Sequence, residues 1–482
     1  MAVRSICTVM LGAALVWATA HQVWGAGTEG TMTTSTGAEQ TGVAVTIYNS
    51  NLGLVKDLRT LRLPKGRSQL RFMDVATAII PASVSIRSLS DAAGLDVLEQ
   101  NYEYDLLSPQ KLMDKYVGKE VKLYQKNPYS EREEVVTATL LSNNNGPVYR
   151  IGNEITYGHP GRVIFPELPG SLIASPTLVW LLENNREKPH TVEATYLTNG
   201  ISWRADYVMT LNERDDAADL GGWVTITNNS GATYRNAAVK LVAGDVNRVR
   251  DEMQPLARGK AMLMGAAAPA PQFREEGLLE YHLYTLQRPS TIKDNQSKQI
   301  SLLSAATIPV RKELLLAGAS YYYQDAYSGD IAKKQKIGVY IELENREKNR
   351  LGMPLPKGTV RVYKKDGEQS LQFVGEDAID HTPRDEKVRI KLGEAFDVVA
   401  DKKQTDWKKR ANDSFEAAYE ISIRNHKKEA VVVRVTEPVP GDWQVLGSSH
   451  DYVKANSGIL EYKIPVAADG ETKLTYRVLM RY

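Results

Sequence analysis

The chain has 482 residues, of which 42% are hydrophobic and 24% charged, with a net charge of +2. That length exceeds one ordinary core and points to about three domains of a globular protein. Positive and negative residues are interspersed and no basic stripe interleaves with aromatics, which argues against a nucleic-acid partner. Tyrosine is abundant (24 against six phenylalanines), a bias that favours half-wet sheet faces over dry helical cores.

The N-terminus reads as an export signal. Arg4 supplies a short basic region, residues 6–18 an apolar run, and Ala18-Thr-Ala20 a small-x-small cleavage site. A second candidate site, Val23-Trp-Gly25, allows cleavage as late as residue 26. The apolar run is too short for a comfortable membrane span. The expected location is therefore the periplasm or the extracellular space, and an integral membrane protein is not expected. Cys7 is the only cysteine and lies inside the signal. The mature chain then has no disulfide, thiolate metal site or cysteine nucleophile.

Residues 21–41 are rich in Gly, Thr and Ser and read as a disordered leader. From residue 42 the pattern turns to strands. VAVTIYN and ASVSIRSL alternate, and LRTLRLPKGRSQLRF carries apolar residues around a Pro-Lys-Gly turn, which together predict a small β domain over 42–105. Residues 108–118 hold the clearest helix signal, with Ser108 as N-cap, Pro109 in the first turn and Gly118 at the closing position. Five short strands with Asn- and Gly-rich turns follow. Helix and strands together predict a small SH3-like barrel domain over 106–175.

The remainder shows an internal echo in which a strand runs into an Asn-containing turn and out into another strand. It occurs in LVWLLENNREKPHTVEATYLT, WVTITNNSGATYRNAAVKLV, IGVYIELENREKNRLGMPLPKGTVRVY and YEISIRNHKKEAVVVRVTEP. Asn tolerates positive φ and caps turns with its own side chain, so it recurs where strands reverse. Four such units predict tandem immunoglobulin-like sandwiches, over 176–250 and 278–482. Residues 251–277, with GAAAPAPQ and no period, read as a linker or loop. The predicted fold class is all-β and multidomain, with one short helix.

ISWRADYVMTLN followed by WVTITNNSGATYRNAAVKLVAGDVN resembles a bacterial domain of unknown function, number 4139, that also occurs in mucoidy-inhibitor-A-like proteins. EYHLYTLQRPSTIKDNQSKQISLL, LGMPLPKGTVRVYKKDG, the GED of FVGEDAIDHTPRDEKVRIKLGEAFDV, and IRNHKK are similar to that family in the same order. The resemblance covers roughly residues 180–482. It lacks the long coiled-coil insertion of many relatives. It implies the fold and export, and no reaction.

Within EYHLYTL, Glu280, His282 and Tyr284 alternate and so share one strand face, with Tyr281 and Leu283 opposite. Lys298 follows on the next strand, within reach of a carboxylate. The residues lean to an ordinary solvated sheet face, with a candidate partner-binding face of these four as the minority reading. GSSHD (448–451 within it) gathers Ser, His and Asp, but neighbours in sequence are expected to point apart, and no Gly-x-Ser-x-Gly elbow occurs. The acids of GEDAIDHTPRDE fit no calcium loop, and no His-x-x-x-His or phosphate loop is present, so no metal and no cofactor are expected. LTYRVLMRY alternates to an aromatic terminus, as a closing membrane-barrel strand or a final sandwich strand would. The reading that follows is an exported binding or envelope-scaffold module for an envelope protein or glycan. The alternative is a periplasmic or surface hydrolase using Glu280 and His282 as acid and base.

Overall fold

The structure, a computed structural model, describes residues 31–126, 133–159, 161–170, 172–244, 246–247, 272–327 and 329–482. The predicted signal and most of the predicted 251–277 linker lie outside the described residues. The protein is all-β, with one α-helix among the described residues, Pro109–Lys115. Ser108 Oγ accepts from the Lys111 amide at 3.2 Å, Pro109 occupies the first turn, and Gly118 takes φ +82° after the helix. These are the cap and stop that the sequence signals. The helix leads into a five-stranded antiparallel sheet between Glu120 and Ile164. That sheet has its own small core of Tyr116, Val121, Leu123, Ala138, Leu140 and Tyr149.

Two predicted segments turn out differently. Thr31–Ser35, assigned to the disordered leader, is a strand paired in parallel with Gly66–Met73. Phe273–Leu278, at the end of the predicted linker, is a strand paired with Tyr281–Leu286. Both segments are too polar or too short to show a period, and they are ordered by the strand beside them.

The domain boundaries differ as well, because the chain interleaves. Gly66–Met73 pairs with Thr177–Asn184, on the far side of the five-stranded insertion. Leu52–Leu61 pairs with His190–Thr198, and Gln40–Tyr48 pairs in parallel with Tyr234–Ala243. The result is a four-stranded sheet and an eight-stranded sheet built from both sides of the predicted 105/176 boundaries, and a 13-stranded sheet beyond them. One continuous hydrophobic core runs from Val43 to Ile390, and a second spans Leu314 to Met480. Long strands join them. Gln296–Ala317 has 22 residues and Lys387–Ala411 has 25. The latter places Val388 and Ile390 in the first core and Val398 and Ala400 in the second.

The Asn echo has one structural cause. Asn184, Asn228, Asn345 and Asn425 stand at strand ends and are almost fully buried. Each donates both amide hydrogens to two carbonyl oxygens of neighbouring turns. Asn184 reaches Leu63 and Pro64, Asn228 reaches Ala232 and Lys293, Asn345 reaches Met353 and Pro383, and Asn425 reaches Glu429 and Ala467. In three of the four, Oδ1 accepts the backbone N–H two residues on; in Asn345 it accepts from Gly352. At each point the chain leaves one strand for a non-adjacent one, and one amide side chain satisfies the backbone groups that this crossing exposes.

Candidate functional site

The four residues of the predicted face do not form one face. Glu280 lies in an exposed turn after Leu279, which adopts φ +56°. The strand Tyr281–Leu286 begins one residue later, between Tyr234–Ala243 and Phe273–Leu278. His282 Nδ1 lies 2.8 Å from Glu275 Oε1 on the neighbouring strand, so its carboxylate partner is Glu275 and not Glu280. Tyr284 is 1% exposed and its hydroxyl donates to the Pro354 carbonyl at 2.9 Å. Its ring meets Trp203 edge-on at 6.2 Å, and burial pushes its phenol up. Lys298 Nζ donates to the Thr291 carbonyl at 3.0 Å, with no carboxylate involved. Alternation placed Tyr284 opposite Leu283 correctly. Leu283 and Tyr284 are nonetheless both buried, so both sides of the strand are covered at this point, on Tyr284's side by contacts with Trp203 and Pro354.

The GSSHD loop also departs from expectation, since neighbours in sequence do meet. Ser449 Oγ lies 2.8 Å from His450 Nδ1 and accepts the Thr475 amide at 2.9 Å. The acids of 376–386 are dispersed. Glu376 pairs with Arg361 at 3.1 Å, and Asp377 accepts the Lys391 amide at 2.7 Å. The terminal strand Gly470–Arg481 buries Leu474, Tyr476, Val478 and Met480 in the second core, while Arg477 pairs with Asp406 and Glu416 on the other face.

Two places concentrate chemistry that the sequence did not reveal. The first is a cavity of about 280 Å³ where the two hydrophobic cores adjoin. Leu211, Val339, Ile341, Val374 and Leu392 give it an apolar lining. Asp215 stands at its rim, gripped by Lys312 at 2.7 Å and Lys364 at 2.6 Å. Burial would raise the Asp215 carboxyl, but the two ammonium groups outweigh it and hold the group below its ordinary value. Val374 belongs to Leu371–Ile379, the terminal strand of the 13-stranded sheet, on which Leu371 and Phe373 are also exposed.

The second is a sealed ion pair in the second core. Lys402 Nζ and Glu437 Oε2 are 2.6 Å apart, and each side chain is 1% exposed. Four tyrosine rings surround the ammonium, with centroids at 4.6 Å (Tyr322), 4.8 Å (Tyr419), 5.2 Å (Tyr323) and 5.8 Å (Tyr476). Tyr323 donates its hydroxyl to Glu437 Oε2 at 2.7 Å, and Tyr476 stands 2.7 Å behind it. Burial pushes the Lys402 ammonium down, against the pull of Glu437. The sequence did carry a signal. Val398, Ala400 and Lys402 share one register of their strand, as do Val433, Val435 and Glu437 of theirs, so each charge occupies an inward position.

These features define an all-β protein of several sheets with a rimmed apolar cavity and a buried charge pair. The chain belongs to the family described as domain of unknown function DUF4139, whose model matches residues 192–482. No curated protein matches it significantly. The match opens inside the strand His190–Thr198, whose partners Leu52–Leu61 and Ser85–Ser88 precede it. In this protein the family region is therefore completed by N-terminal strands. Among the described residues no helix is long and apolar enough to cross a membrane.

Proposed function

We propose that the protein is an exported binding module of the cell envelope, and that the cavity between Asp215 and Val374 seats an apolar group of its partner. The carrying observation is the cavity itself, with an apolar lining and a rim of paired charges. Apolar concavity with a few oriented polar groups is the usual form of a binding site. Export is supported by Arg4, the apolar run of residues 6–18 and the Ala18-Thr-Ala20 site.

The test has two parts. Expressed in a Gram-negative host, the protein should fractionate to the periplasm with a mature N-terminus between His21 and Gly27; intact Met1 in the cytoplasm overturns export. Partners cross-linked in envelope extracts should be captured by the wild-type protein and lost with Val374→Asp, a variant on a half-exposed site that leaves the melt unchanged. Equal capture by both overturns the cavity as the seat.

A further inference from the structure

The cage around Lys402 holds an amine and a carboxyl group in contact, both sealed from bulk solvent. The two residues lie on strands that do not hydrogen-bond to each other, Lys387–Ala411 and Val431–Pro438. The fold alone brings them to 2.6 Å. Such fixed proximity replaces a bimolecular encounter. The tyrosine rings exclude solvent, and Gly318 closes the site from the side of Glu437. A Cβ there would stand 2.3 Å from Glu437 Oε2. Two opposite charges taken out of water carry a desolvation cost that their attraction offsets only in part. Condensation would remove both charges, and the water it releases leaves a site that holds no room for it. The described chain has no cysteine with which to staple its sheets, Cys7 being the only one in the sequence.

We infer that Lys402 and Glu437 are the two ends of an intramolecular amide bond that forms once the second sandwich has folded. Nζ of Lys402 bonds to Cδ of Glu437 and the Cδ–Oε2 bond breaks. The ammonium sheds two protons, which leave with Oε2 as water, and one N–H remains on the amide. The positive and negative charges cancel, and no oxidant or reductant takes part. Tyr323, which donates to Oε2, and Tyr476 behind it pass the proton to the departing oxygen and end unchanged. The two tyrosines thus take the part of the general acid. The bond would tie the interior of the second sandwich together across strands that share no ladder.

Peptide mapping by mass spectrometry of the folded, full-length protein decides the matter, and the wild type suffices. The expected result is a tryptic species that unites the Lys402 and Glu437 segments, lighter by one water than their sum, with no cleavage after Lys402. Lys402→Met should abolish it. Glu437→Gln should form the same link by loss of ammonia and so give a species of the same mass as the wild type. Recovery of Lys402 and Glu437 from wild-type protein in separate, unmodified peptides overturns the inference. It leaves the cavity reading untouched, since the two sites share no residue.

Discussion

Replacing Asn228 by alanine removes a fully buried side chain that makes four hydrogen bonds. Its amide donates to the Ala232 and Lys293 carbonyls at 2.9 and 3.0 Å, and its oxygen accepts from the Ser230 amide at 3.1 Å and the Ser230 hydroxyl at 2.7 Å. The hydroxyl has a second partner in Tyr234 at 2.9 Å, so three backbone groups are left without one. Each buried orphan costs about 1–3 kcal/mol, reduced by whatever relaxation admits water. The expected loss is therefore about 3–5 kcal/mol, near the upper end for single substitutions. Asn228→Asp should cost at least as much, because two donors become acceptors facing carbonyl oxygens. Asn144→Ala, in an exposed turn, should stay within about 0.5 kcal/mol. Equilibrium urea denaturation followed by tryptophan fluorescence measures all three, as midpoint shifts at a common slope. An Asn228→Ala variant within about 1 kcal/mol of wild type, at unchanged slope, would refute the view that these amides hold the crossings together.

Three further outcomes are expected. Tyr284→Ala should cost about 3–5 kcal/mol through its cavity and Tyr284→Phe about 1 kcal/mol through the bond to Pro354. Glu280→Gln should cost under about 0.5 kcal/mol in the same urea melts, and a larger loss would place Glu280 in a buried contact. Asp215 is held below its ordinary value by Lys312 and Lys364, so its stabilisation is present above the unfolded carboxyl value of about 4 and is lost as pH falls through the lower folded value. Between neutral pH and pH ~2 the wild type should therefore lose more stability than Asp215→Asn, and parallel pH profiles would contradict this.

The chain alone determined the all-β class, the helix after Ser108 and the recurrence of Asn at strand ends. Those signals are local: alternation writes itself into each strand, a cap is a matter of three or four residues, and a turn chooses its own side chains. The same locality explains the misreading of Glu280, His282 and Tyr284. Alternation says which residues share a side of a strand, but not that other parts of the chain, Trp203 and Pro354, pack over Tyr284. Pairing is non-local. Nothing near Gly66–Met73 announces that its neighbour is Thr177–Asn184, and so the domain boundaries drawn from turn-rich stretches cut through shared sheets. The buried pair was half legible, since each charge sits in an inward register. Its meaning needed the fold, because Lys402 and Glu437 are 35 residues apart and the tyrosines that seal them come from as far as Tyr322 and Tyr476. Only tertiary packing decides whether an inward charge meets a partner or water, because a low dielectric is made by all the strands together and belongs to none of them.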